Sequence, residues 1–152
     1  MNPSLFKEEL SGRFGWRLGK TESSTRRLYI TPAPEIFDEL VQFISEDNLA
    51  RLATISCVDH RDHFVLLYHF ALDESGFMVT IKLPIEKNGE PSTESLAARN
   101  PAAEWIEREI REMFGIDFEN HPAKKRLLKA DSLGDTDFPY RKDFKLEDLE
   151  GD

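Results

Sequence analysis

The chain has 152 residues with 29 Asp and Glu against 20 Lys and Arg, a formal net charge of −9. That balance excludes a protein whose main partner is nucleic acid, since phosphate binding needs a dominant basic surface, and it disfavours direct adhesion to anionic lipid. The single cysteine, Cys57, excludes an internal disulfide and a thiolate-ligated iron–sulfur cluster or zinc ribbon, while the length suits one domain able to bury about 68–70% of its unfolded surface.

Along the chain, residues Leu5 to Leu10 predict a short helix ended by Gly12 and Gly15. Met1 to Gly12 carries Glu8 and Glu9 and lacks the apolar core of a signal peptide, and no run of about 18 apolar residues follows. A reducing, cytoplasmic setting without a membrane span is expected. Gly19 to Thr25 reads as loop, and Leu28-Tyr29-Ile30 as a first strand stopped by Pro32. Pro34 suits a first helical position, and Ile36, Phe37, Leu40, Val41 and Ile44 follow at helical spacing. Three β-branched and aromatic runs, Leu49 to Val58, Phe64 to Leu72 and Phe77 to Leu83, predict an antiparallel meander joined by turns.

A second helix is predicted from an N-cap at Asn100 and Pro101 to a stop at Gly115. Its apolar stripe contains Ala103, Ile106, Ile110 and Met113, with Glu107 and Glu109 bordering the stripe and Arg108 nearly opposite. The basic stretch Lys124 to Lys129 follows, then an extended, proline-interrupted end. These signals predict a two-layer α+β domain over residues 1–130, with two main helices packed on the sheet, and a partner-binding tail over 131–152.

The motifs of common chemistries are missing. Neither a Gly-x-Ser-x-Gly elbow nor a phosphate-cradling glycine loop occurs. His60, His63 and His121 lack a visible third ligand, so a small metal-dependent enzyme stands as the alternative of another class. The helical carboxylates and Arg108 read either as a solvated face or as charges that pair with another chain. The stretch Lys124 to Lys129 lacks interleaved aromatics for base stacking and suits an acidic protein surface better, which leaves a free-standing adaptor as a further reading.

At Glu107-Arg108-Glu109-x-x-Glu112-Met113-Phe114-Gly115-Ile116, His121-Pro122 and Arg126-Leu127-Leu128, the chain resembles the thirty-kilodalton (C-type) subunit of respiratory complex I and its counterpart in membrane-bound [NiFe] hydrogenases. Tyr140-Arg141-Lys142-Asp143-Phe144 resembles that family's ending, and Ser56 to Asp59 with Val65 to His69 its strand pair. The resemblance covers about Leu49 to Leu146, with Glu112 standing where Asp is more usual.

It implies an α+β unit with a mixed sheet, no cofactor in this chain and no catalysis of its own. The parent complex would hold iron–sulfur clusters with quinone or a NiFe centre. Implied partners are the large subunit and adjacent iron–sulfur subunits, at the cytoplasmic face of the membrane. Glu107, Arg108, Glu109 and Glu112 would bridge to partners, His121 and Pro122 would set the turn launching Arg126 and its neighbours, and Arg141, Lys142, Asp143 and Phe144 would anchor the tail.

Overall fold

The computed structural model describes residues 1–149; the last three residues of the expected tail, 150–152, lie outside the described residues. Helix α1 spans Pro3–Phe14 and runs into a 3-10 turn, Gly15–Leu18. Strands β1 (Lys20–Ser23) and β2 (Arg27–Thr31) follow. A 3-10 turn at Pro34–Ile36, helix α2 (Phe37–Gln42) and a wider π-type turn (Phe43–Asp47) form one continuous helical run. Strands β3 (Arg51–Asp59), β4 (His63–Leu72), β5 (Phe77–Glu86) and β6 (Ser92–Glu94) precede α3 (Ala103–Phe114), β7 (Asp117–Glu119) and a final 3-10 turn at Leu146–Leu149.

One sheet has the order β1-β2-β5-β4-β3, with β1 antiparallel to β2 and β2 parallel to β5. Turns of a few residues join β3 to β4 and β4 to β5, which permits only antiparallel pairing. The result is the mixed sheet of an α+β fold. Strands β6 and β7 pair in parallel as a separate ribbon.

Several elements differ from expectation. Helix α1 continues through Gly12 because Asn2 caps it, accepting the Ser4 N–H at 2.8 Å, and because Phe6, Leu10 and Phe14 bury one face. It stops at Gly15 (φ 54°). Strand β1 occupies what reads as loop, since all four of its residues are exposed and none carries an apolar signal. Gly19 is required there: a Cβ would collide with the Thr31 carbonyl oxygen. Helix α3 starts at Ala103 with Ala102 at its N-cap, two residues later than the expected cap, because Asn100 instead opens a preceding turn, its side chain accepting the Ala102 N–H at 3.2 Å. Gly115 ends the helix in the left-handed conformation (φ 73°, ψ 30°).

The chain divides into two compact units. One comprises Met1–Ile55 with Leu66–Leu83. Its core is aromatic: Phe6 lies 5.8 Å from Phe43 and 6.5 Å from Phe77, Phe14 lies 5.6 Å from Phe43, and Phe37 meets Tyr68 edge-on at 5.0 Å. Arg13 closes the outside of this unit, reaching Asp47 at 2.7 Å and Glu39 at 3.4 Å.

The other comprises Ser56–Val65 with the chain from Pro84 onward. Leu96, Ala103, Ile110, Ile116 and Phe118 are buried there. Phe114 bridges Phe64 at 6.1 Å and Tyr140 at 5.7 Å.

Candidate functional site

The second unit contains a segment, about Asn120 to Lys145, that has neither helix nor strand. Backbone groups without a ladder need other partners. Here the charged side chains of α3 supply them.

Glu112, buried at 6% exposure, accepts the N–H groups of three consecutive residues. One oxygen takes the Leu127 N–H; the other takes those of Leu128 at 2.8 Å and Lys129 at 3.1 Å. Burial alone would raise this carboxyl, but the three amides outweigh it and hold it below its ordinary range. One helical turn earlier, Arg108 reaches the same segment with the opposite polarity. Its Nε donates to the Lys125 carbonyl at 3.0 Å and an Nη to that of Arg126 at 2.9 Å. An anion therefore collects amides and a cation collects carbonyls, on adjacent turns of one helix.

Glu107 is fully buried (0% exposed) and holds the start of α3. It accepts the Ser95 hydroxyl at 2.5 Å and the Leu96 N–H at 2.7 Å. Burial pushes its carboxyl above the ordinary value, against those donors and against His121, whose Nε2 lies 3.7 Å away. The Ala123 N–H donates to Nδ1 of His121 at 3.0 Å, so the ring proton sits on Nε2, where it donates to the Glu104 carbonyl at 3.0 Å. Pro122 is exposed between them. The His-Pro pair therefore pins the chain reversal onto α3.

Further along, Arg126 donates to the carbonyls of Ala130 and Leu133 at 3.3 and 2.7 Å. Arg141 donates from Nε to the Phe114 carbonyl at 2.6 Å, and its guanidinium lies 5.2 Å from the Phe64 ring centre and 4.5 Å from that of Phe138. A Cβ on Gly115 would lie 2.6 Å from the Phe138 ring, so the glycine serves close approach as well as the helix stop. The Lys142 N–H donates to Asp59 at 2.9 Å. Asp59 also accepts the Arg61 N–H at 2.7 Å and pairs with Lys87 at 3.0 Å. Burial opposes its ionisation, but the Lys142 amide, Lys87 and the Arg61 amide bring the carboxyl down to about 2.

The sequence-selected residues thus fall into two sets. Glu107, Arg108, Glu112, His121, Arg126 and Arg141 engage the chain itself. Glu109, half-buried, and the exposed side chains of Lys142 and Asp143 make no hydrogen bond or ion pair with any described residue, while Phe144 is half-buried. Sequence reasoning missed Asp59, Lys87 and Lys129 as members of this arrangement. Asp59 reads as turn material, although it closes the Ser56 to Asp59 motif. Lys129, buried, donates to the carbonyls of Asp137 at 3.0 Å and Asp135 at 3.4 Å.

Other chemistry-bearing groups are placed less suggestively. His60 and His63 stack at 5.0 Å, with Asp62 accepting from His63 at 2.8 Å. Among the described residues no three His, Cys, Asp or Glu side chains converge as a metal-ligand group. Cys57 is half-buried, and burial, then Asp59, push its thiol up to about 12, which keeps it protonated. No described helix is long and apolar enough to cross a membrane.

Comparison with known proteins follows the same residues. The solved membrane-bound sulfane sulfur reductase, an archaeal respiratory membrane complex, contains a chain of the same fold: TM-score 0.77, 23% identity, with 92% of this chain and 86% of that one covered. The C-type subunit of the F(420)H(2) dehydrogenase of Methanosarcina mazei is 33% identical over 153 residues, covering 95% of this chain and 93% of the relative. The C-type subunit of the NADH-quinone oxidoreductase of Dinoroseobacter shibae is 31% identical over 130 residues, 82% of this chain. The match spans only 59% of that relative's length. The family model described as respiratory-chain NADH dehydrogenase, 30 Kd subunit, matches residues 30–150 and so extends the resemblance upstream of Leu49. The chain belongs to that 30 Kd subunit family.

Proposed function

We propose that this chain is a cofactor-free docking subunit in the peripheral arm of a complex I-like quinone oxidoreductase. It stands beside the large subunit that shapes the quinone site and beside iron–sulfur subunits, at the cytoplasmic face of the membrane, and performs no chemistry of its own. The carrying observation is the use to which the family motif is put. Glu112 and Arg108 immobilise an irregular segment by its backbone, building a fixed shape rather than a reactive centre. Such a segment cannot hold itself by secondary structure, and its preorganisation lowers the ordering cost of association.

The groups left unengaged suit contact with other chains. Glu109, Lys142 and Asp143 have no internal side-chain partner among the described residues. Leu128 and Tyr140 on the same segment, and Trp105 on α3, are large apolar side chains left exposed. Exposed aromatic and aliphatic side chains together with unengaged charges are the kinds of group a protein interface uses.

Affinity purification of the tagged chain from its native membranes tests the reading. A large redox subunit and iron–sulfur subunits are expected to copurify. Recovery of the chain alone, or a purified monomer that carries a coloured group or turns over a substrate, overturns it.

A further inference from the structure

The second unit carries a cleft of about 850 Å³ between the Gly89–Pro91 loop, the end of α3 and the 124–138 segment. Cavities of about 300–1,000 Å³ are of ligand-binding size. The lining is unlike the rest of the chain: it holds five of the 20 Lys and Arg but only four of the 29 Asp and Glu. Three of those four carboxylates are already engaged. Glu112 accepts three amides, Asp117 is shared between Arg111 at 3.5 Å and Lys124 at 2.9 Å, and Asp135 pairs with Arg126 at 3.3 Å. Lys129 and Arg141 donate to backbone carbonyls and form no ion pair with a described residue. Burial, and next Arg126, pull the Lys129 ammonium below its ordinary value, against Asp135, Asp137 and Glu112, which hold it up.

We infer that this cleft receives an acidic peptide segment of a neighbouring subunit, whose carboxylates would displace Asp117 from Arg111 and Lys124. The inference rests on the docking function proposed above and names the chemistry of one contact. Charge complementarity argues for this occupant: in a chain of net charge −9, the cleft is a place where cations outnumber carboxylates. A peptide suits the cleft better than a lone anion because its volume of about 850 Å³ exceeds that of one small anion, and Phe138 and Pro91 join Arg111, Lys124 and Arg141 in the lining.

The test titrates the full chain with acetylated, amidated hexaglutamate and, in parallel, with inorganic phosphate, following backbone amide shifts. Hexaglutamate is expected to shift cleft residues and to bind at least tenfold more weakly when salt rises from about 50 to about 500 mM, an order-of-magnitude expectation for a contact between exposed charges. The double variant Arg111→Gln, Lys124→Gln should lose binding at least tenfold. Asp117→Asn should gain severalfold, because it frees both cations, and a merely misfolded variant could not mimic that gain.

Absence of cleft shifts, an unchanged Asp117→Asn affinity, or phosphate binding as tightly as the peptide overturns the inference. The double variant is then carried into the native-membrane purification. Loss of the large subunit there supports the acidic contact. Undiminished copurification sinks the cleft as a contact while leaving the docking function standing.

Discussion

The two units are stabilised by different physics. In the first, α1, α2 and the π-type turn bring Phe6, Phe14, Phe37 and Phe43 into one apolar core, and ion pairs such as Arg13 with Asp47 and Glu39 lie at the exposed surface. In the second, much of the order comes from ionised side chains bonded to backbone: Glu112 to three amides, Arg108 to two carbonyls, Arg126 to two more, and Asp59 to two amides and a lysine. Apolar burial is insensitive to pH and salt, whereas ion-to-backbone bonds hold a shape only while the charge persists. A unit built the second way can present a fixed irregular surface without the periodic sequence that helices and strands demand.

The largest expected effect is in the first unit. Phe6 has 0% exposure and touches two other rings, so Phe6→Ala should cost about 3–5 kcal/mol in urea unfolding, through lost transfer energy and a cavity. The cost should be the same at mildly acidic and neutral pH. A strong pH dependence would break the contrast between the units.

Next comes Glu112→Ala, which leaves three amides without an acceptor. The expected loss is about 2–3 kcal/mol, less than three full penalties because a loosened segment lets water in. The distinctive outcome is local. Amide hydrogen exchange should accelerate at Leu127, Leu128 and Lys129, with β2 and β5 unaffected. Equal acceleration everywhere would mean that Glu112 supports the whole fold rather than one segment.

These two residues also mark what the sequence reveals. Helices α2 and α3 and strands β4 and β5 are legible because an apolar period runs through each, and β3 because of its β-branched, apolar content; β4 alternates buried and half-buried residues along its whole length. Strands β1, β6 and β7 are three or four residues long, and six of the seven residues of β1 and β6 are exposed, so composition carries no signal for them. At the site, the motif identifies which charged residues matter but not what they bind. The partners of Glu112 are backbone amides 15 to 17 positions away, and any residue type except proline supplies an amide. Arg108, on the face opposite the apolar stripe, reads as a solvated or partner-bridging charge, yet its side chain is only 12% exposed because the 125–126 backbone covers it.

The acid limb of stability should come mainly from the second unit. The Asp59 carboxyl is depressed to about 2 when folded, against an unfolded value of about 3.9. Its contribution is therefore fully present above the unfolded value and is lost as pH falls from about 4 to about 2. The size is about 1–2 kcal/mol once solvent screening is allowed for. Glu112, also depressed, adds in the same direction. Glu107 is raised and acts oppositely, its stabilisation being present at low pH and lost as pH rises through its folded value. Urea unfolding followed from about pH 6 to about pH 2 should show a smaller loss for Asp59→Asn than for the unmodified chain. Parallel pH profiles would remove Asp59 from the account.

The smallest effect sharpens the comparison most, because it separates backbone geometry from charge. Gly115 sits at φ 73°, and its missing Cβ makes room for the Phe138 ring and for Arg141. Gly115→Ala should cost about 1 kcal/mol from the left-handed backbone alone. The added methyl also displaces the Phe138 ring and crowds the Arg141 guanidinium, which would lie 2.7 Å from it, so the stack is disturbed while no charge is removed. Stability should fall modestly, with exchange accelerating at Tyr140 and Lys142, whose N–H groups are held by the Met113 carbonyl and Asp59. If those amides stay protected in the variant, the ionic bonds alone fix the segment and the aromatic sandwich around Arg141 is dispensable. If they open while Leu127 to Lys129 remain closed, the segment is fastened at two independent points: one by the Glu112 carboxylate, the other by the packing of Arg141 between two rings.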